Sequence, residues 1–228
     1  MGEERAATSA TTEGAGPRVE VVPVGALAAN CYLLMCRETH EATVIDPGAE
    51  AGRVLDLVRA QSARVTRVIH THGHFDHISG TEELLAGLPG PVAVAAHSDD
   101  LYLYAREMRA AGAPYGYALP DEIGVPDEDL VDGQELAIGT LRVRVVHTPG
   151  HTPGGVSLVV APWCLFSGDT LFRRGVGRTD LRGGDEDALY TSIETRLYPL
   201  DSELVVYPGH GPPTTIGEER RMNPFVHG

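Results

Sequence analysis

The apolar residues of this chain follow two rhythms. Short runs rich in Val, Leu and Ile, bounded by turn-forming residues, predict strands at VEVVPV (19–24), CYLLMC (31–36), ATVIDP (42–47), RVTRVIH (64–70) and VAVAAH (92–97). Stretches with apolar residues three and four apart predict helices. EAGRVLDLVRAQS (50–62) places Val54, Leu55 and Val58 on one face, and a second helix runs from about Gly80 through TEELLAGL until PGP breaks it. Residues 98–110 also read as helix, whereas 111–130, rich in Pro, Gly and Tyr, predict a loop whose Tyr115 and Tyr117 suit a substrate-facing role. The second half repeats the style, with strands at LRVRVVH (141–147), VSLVVAP (156–162), CLFSGD (164–169) and ELVVYPGH (203–210). Its helices are DALYTSIETRLYPL (187–200) and TIGEERRMNPF (215–225). Two runs of strands with interspersed helices predict an α/β fold of two facing sheets with helices outside.

Chemistry gathers where these strands stop. RVTRVIH runs into THGHFDH, so residues 70–77 hold four histidines and Asp76. In an extended or turning backbone residues two apart point the same way, so His72 and His74 can share one cation. Asp76 and His77 lie on the following turn and can face a second cation close by. Imidazole and carboxylate form the ligand set that suits zinc, iron or manganese. Gly73 leaves room for the bend. Three other strand ends carry Gly beside a ligand-type residue: His147 and His151 in HTPGHTPGG, Asp169 in FSGDT and His210 in VYPGHG. Alone, each reads more readily as a turn; beside HGHFDH, they read together as one metal site. His70 and His97 flank it and, like His147, are expected to be structural, with an outer hydrogen-bonding role as the alternative.

Composition narrows the setting. The formal net charge of -14 argues against nucleic acid and anionic membranes as partners. It leaves room for an anionic substrate, because two cations would dominate the local field. Cys31, Cys36 and Cys164 form no CxxC pair and no disulfide framework, which fits a reducing compartment. The longest apolar stretch, VSLVVAPWCLF, is too short to span a bilayer and contains Pro162. The polar N-terminus lacks the apolar core of a signal peptide. Residues 1–17 are expected to be a disordered tail, 18–228 one domain, and the location cytoplasmic.

THGHFDH, TPGHTPG, SGDT and PGHG, in this order and spacing, resemble the motif series of the metallo-β-lactamase superfamily, and VIDPG (44–48) resembles its aspartate-bearing turn. The resemblance covers roughly residues 18–226 and implies an αββα sandwich with a dinuclear site at one edge. It implies His72, His74 and His151 at one metal, Asp76, His77 and His210 at the other, and Asp169 bridging them. Two divalent ions per chain are expected, zinc first, with iron or manganese also suited. GDTLFRRGVGRTDLRGG (168–184) and the closing helix are most similar to the glyoxalase II group. That group carries Lys and Tyr where this chain has Arg178, Thr179 and Asp180, and has a C-terminal helical domain for which this chain is too short. The compact branch is therefore the better match, and glutathione is not fixed as the thiol.

The function this implies is hydrolysis of an S-2-hydroxyacyl thioester by a hydroxide held between two cations, with Asp76 orienting the nucleophile and Arg178 holding a carboxylate of the thiol carrier. GVGRTD also resembles persulfide dioxygenases of the same fold. Such an enzyme would use a single iron held by His72, His151 or their neighbours and Asp169. A β-lactamase or a nuclease rests on fold alone, and a closed structural zinc site fits poorly with so many candidate ligands.

Overall fold

The computed structural model describes residues 16–117 and 126–227. The tail expected over residues 1–17 therefore lies, apart from Gly16 and Pro17, outside the described residues. Six strands form the first sheet in sequential order: β1 (Arg18–Val24), β2 (Ala29–Met35), β3 (Glu41–Ile45), β4 (Arg64–Ile69), β5 (Ala93–Ala96) and β6 (Glu128–Asp129). The second contains β7 (Glu135–Ile138), β8 (Leu141–His147), β9 (Val156–Val160) and β10 (Cys164–Gly168). A small hairpin of β11 (Leu171–Phe172) and β12 (Gly175–Val176) follows, then β13 (Val205–Pro208) and β14 (Thr214–Thr215) complete the second sheet, in the order β14-β13-β10-β9-β8-β7.

Alternation along the strands explains the layers. In β2 every residue is buried, because both faces are covered. Tyr32 and Leu34 point inward with Ile45 and Ile69 and meet Val143, Val145, Leu158 and Phe166 of the second sheet. Cys31, Leu33 and Met35 point outward. There they pack with Val44 and Val68 against α1 (Ala51–Ala60), through Ala51, Val54 and Val58, and against Leu84 of a later helix. On the far side Val146, Val159, Leu165 and Val206 are covered by Leu189, Ile193 and Leu197. The order is helix, sheet, sheet, helix, the predicted αββα sandwich.

The remaining helices are α2 (Phe75–Ile78), α3 (Thr81–Gly87), α4 (Arg106–Arg109), α5 (Glu186–Ser192) and α6 (Ile216–Met222). Helix α5 runs directly into a π-turn over Ile193–Leu197, so the predicted helix at 187–200 holds with its last turn widened. Strands β3 and β4 are parallel and joined through α1, and β10 and β13 are parallel and joined through α5. These crossovers bring the C-terminal ends of four strands to one edge.

Three expectations need correction. Residues 98–110 are not one α-helix. A 3-10 helix spans Ser98–Tyr104, Ala105 is extended, and only Arg106–Arg109 is α-helical. Tertiary contacts of Asp100 and Tyr104, described below, override helical propensity there. The segment 111–130 is only partly loop. Ala110–Tyr115 is 3-10 helix and Glu128–Asp129 pairs with β5, while residues 118–125 lie outside the described residues. The turn carrying Asp76 and His77 is itself a short helix, α2. Strands β7, β11, β12 and β14 give no clear signal in the sequence because each is four residues or shorter.

Candidate metal centre

The seven side chains expected to hold metal lie together at the common edge. His72 and His74 follow β4, Asp76 and His77 sit on α2, His151 lies in the loop after β8, Asp169 follows β10 and His210 follows β13. They form two groups. His72, His74 and His151 bring ring nitrogens within 4.8 Å of one another, and Asp76, His77 and His210 do the same with two nitrogens and a carboxylate oxygen. Asp169 stands between them. Its Oδ2 is 3.6 Å from His151 Nε2 and 3.6 Å from His210 Nε2, and its Oδ1 is 3.6 Å from His77 Nε2. His210 Nε2 is 3.3 Å from Asp76 Oδ2.

Outer contacts aim the rings. His77 Nδ1 donates to Asp46 Oδ2 at 3.0 Å, His151 Nδ1 to the Arg178 carbonyl at 2.7 Å, and His210 Nδ1 to the Leu27 carbonyl at 3.1 Å. Each bond places a proton on Nδ1 and turns Nε2 toward the centre. Asp46 also accepts from the Thr71 amide at 2.7 Å and the Thr71 hydroxyl at 2.6 Å, and that hydroxyl lies 3.1 Å from His72 Nδ1. Asp46 thus supports His77 directly and His72 through Thr71. It does so from the left-handed region, at φ 54°, where Asp is among the few residues tolerated.

Whether these residues fit cations can be read from atoms that lack partners. Buried polar atoms in folded proteins are nearly always hydrogen-bonded. Here His72 Nε2, His77 Nε2 and Asp169 Oδ1 are buried with none, and all three belong to the cluster. Gly209 packs so closely that a Cβ there would overlap the Asp169 carboxylate. The donor set, the orphaned atoms and the crowding all fit divalent cations.

The two groups differ in charge. Burial, then the charges of His77 and His151, hold the His72 imidazole well below its ordinary pKa, and burial with His151 pushes His74 down to about 3. Burial also opposes a charge on His77, but Asp76, Asp169 and Asp46 outweigh it and raise it to about 10. Burial works against ionisation of Asp76, yet His77 and His210 hold its pKa well below the usual carboxylate range. The carboxylate end therefore demands positive charge, whereas His72 and His74 resist protonation.

Sequence reasoning missed one acid. Asp100, fully buried, accepts from the Gly73 amide at 2.9 Å, the Thr152 hydroxyl at 2.8 Å and the Gly154 amide at 2.7 Å. It lies in the 3-10 helix that follows β5, in a polar stretch with no sequence signal of its role. His70 is held by the Tyr104 hydroxyl at 2.7 Å and Thr81 at 2.8 Å. Burial pushes its pKa down to about 4, so it is a neutral structural group. His97 and His147 stack on each other at 4.3 Å. His97 Nδ1 accepts from the Asp99 amide and His147 Nε2 donates to the Pro153 carbonyl. With Asp99 they form a further group whose ligand atoms lie within 4.8 Å of one another.

The rim is aromatic on one side. Phe75 stacks against Tyr115 at 6.2 Å and meets Tyr117 edge-on at 5.1 Å, while the Tyr117 hydroxyl accepts from the Leu27 amide. Tyr115 is exposed, whereas Tyr117 is buried in packing. The Arg178 guanidinium makes two 2.7 Å bonds to Asp180, and both side chains are exposed.

Two His/Asp clusters able to hold metal, with Asp169 between them, at the edge of an αββα sandwich are the kind of centre a metallohydrolase uses. The model of the metallo-beta-lactamase superfamily matches residues 24–210, and the chain belongs to that superfamily. Hydroxyacylglutathione hydrolase GloC of Haemophilus influenzae is 34% identical over 92% of this chain and 98% of its own length. Among solved structures, BLEG-1, a B3 metallo-beta-lactamase, is 34% identical with a TM-score of 0.84, covering 92% of this chain and all of its own. TTHA1623 in a di-iron-bound form is 38% identical with a TM-score of 0.80 over 91% of this chain and all of its own. ETHE1 from Myxococcus xanthus is 28% identical with a TM-score of 0.75 over 92% and 84%. Among the described residues, no helix is long and apolar enough to cross a membrane.

Proposed function

We propose that this chain is a thioester hydrolase of the glyoxalase II type, cleaving S-2-hydroxyacyl thiols to the acid and the free thiol. The observation that carries this reading is the pair of ligand groups sharing Asp169, with buried imidazole and carboxylate atoms left without partners. The similarity to GloC over nearly the whole of both chains supports it. His72, His74 and His151 would hold one cation, Asp76, His77 and His210 the other, and Asp169 both. Zinc is the first expectation, and the di-iron form of TTHA1623 keeps iron in view. The chemistry two such cations supply when bound is polarisation of an acyl carbonyl and ionisation of water near neutral pH.

The rest falls to the chain. Asp76 stays ionised beside His77 and His210, so it can accept a hydrogen bond from an attacking water and orient it. Phe75 and Tyr115 offer an apolar wall for the acyl or thiol portion. Arg178 can hold a carboxylate of the thiol carrier if that carboxylate displaces Asp180. The acidic surface, with a net charge of -14, suits a small-molecule substrate rather than nucleic acid or a membrane. A cytoplasmic location fits the free cysteines.

A second reading is a mononuclear-iron persulfide dioxygenase. The likeness to ETHE1 favours it, as does the approach of His151 Nε2 to Asp169 Oδ2 beside His72, a two-histidine, one-carboxylate arrangement. One experiment separates the two: metal content of protein purified without chelators, with thiol release from a hydroxyacyl thioester and oxygen uptake on a glutathione persulfide measured side by side. Two metals and thiol release support the hydrolase. One iron with persulfide-dependent oxygen uptake overturns it. A β-lactam belongs in the same assay because of the likeness to BLEG-1.

A further inference from the structure

Ligand residues of the three-histidine group come from loops on different sheets. His72 and His74 flank Gly73 after β4 in the first sheet, and His151 precedes Thr152 and Gly154 after β8 in the second. Something must fix the distance between those loops. One backbone bond, from the Val156 amide to the Thr71 carbonyl at 2.8 Å, crosses directly. His74 Nδ1 also lies 2.9 Å from His151 Nε2. A further tie, through a side chain outside both loops, is Asp100, whose Oδ2 accepts from the Gly73 amide and the Thr152 hydroxyl while Oδ1 accepts from the Gly154 amide.

The segment carrying Asp100 is shaped for this. In a 3-10 helix residues three apart eclipse each other, so Asp100 and Leu103 share a face. That face lies on Gly73, where a Cβ would come within 2.8 Å of Leu103 Cβ and 3.1 Å of the Asp100 carbonyl oxygen. Gly154 packs as tightly, with the Asp100 amide nitrogen 2.7 Å from where its Cβ would stand. Both loops use glycine where they approach Asp100, and both direct an N–H at its carboxylate. The Asp100 carboxylate bonds go to Gly73, Thr152 and Gly154, and no hydrogen bond or ion pair among the described residues joins it to Asp76, His77 or His210.

We infer that Asp100 is a positioning residue that sets the spacing of His72, His74 and His151, and with it the cation affinity of that group alone. The inference rests on the metal-centre reading above. It assigns a different function to each buried acid near the centre: Asp46 supports rings of both groups, whereas Asp100 serves one.

The test is titration of the metal-free full chain with Co(II), followed by its d–d absorption and by metal content per chain. Reference spectra come from His151→Ala and His210→Ala, each lacking one ligand of one group. The wild type is expected to take two equivalents. Asp100→Ala should bind one of them 10–100-fold more weakly, the usual effect of removing an outer contact, and its spectrum at one equivalent should match that of His151→Ala. Asp100→Asn, which keeps an acceptor for the Gly73 amide, should fall between. Thr152→Val, which removes only one of the three bonds and is nearly isosteric, should show a smaller weakening of the same site and covers the case in which Asp100→Ala fails to fold. Binding of both equivalents with wild-type affinity in Thr152→Val and in whichever Asp100 variants fold overturns the inference, and so does equal weakening of both. A wild type that takes up no cobalt would refute the metal-centre reading itself, and the clamp with it.

Discussion

At one end of the cluster His72, His74 and His151 meet with no carboxylate of their own, and burial among neighbouring imidazoles keeps His72 and His74 neutral. At the other, His77 and His210 meet Asp76, with Asp46 behind and Asp169 shared, and His77 is driven toward the charged form. Both ends draw on both sheets, but the first takes His72 and His74 from the end of β4 and His151 from the loop after β8, whereas the second takes Asp76 and His77 from α2 and His210 from the end of β13. Carboxylates crowd the second end and repel one another unless positive charge is supplied. Emptying the first end costs little electrostatically, whereas emptying the second leaves a concentration of negative charge in a buried place. Two sites a few ångströms apart can therefore differ in what they need from the protein.

The comparison is broken most completely by removing the cations. Dialysis against a strong chelator is expected to abolish hydrolase activity, with restoration on adding back zinc, iron or manganese. A graded chelator titration, followed by residual metal per chain, should show two steps rather than one. Asp169→Ala, which removes the group common to both ends, should lower kcat/KM by roughly 10³-fold, the scale of losing a principal electrostatic contact. Its metal content should fall below two per chain. Asp46→Asn should weaken both ends by roughly 10–100-fold in cation affinity, because it disturbs His77 directly and His72 through Thr71. Retention of either end at full affinity would contradict that double role. Arg178→Ala leaves both ends intact and is expected to raise KM by roughly fivefold with kcat unchanged, the effect of one exposed charge pair. Steady-state kinetics on the thioester check it.

How far the sequence foretells this arrangement differs by residue type. The layers follow from periodicity: β2, β3 and β8 read correctly because each is long and apolar enough for alternation to register. Strands of two residues, such as β6 and β11, exist only through their neighbours and leave no pattern. The convergence of the candidate site residues is legible because histidine is uncommon, and its recurrence at several strand ends points to one cluster. Asp100 is not legible, because an acid in a polar-looking stretch gives no hint that all its oxygens are buried and satisfied. Arg178 shows what sequence cannot supply: its position suggests a substrate grip, and the structure adds that its guanidinium is paired with Asp180 and its backbone carbonyl accepts from His151.

The ligand set reaches from residue 72 to residue 210, with members on both sheets. On the proposed reading, bound cations are also rivets between the two halves of the sandwich. Mass action then links folding to supply: a free cation concentration 100-fold above the dissociation constant adds about 2.7 kcal/mol to stability. A starved chain would open more often and meet proteases more often. The amount of this protein that a cell keeps would thus track the availability of its metal, with no sensor required beyond the active site.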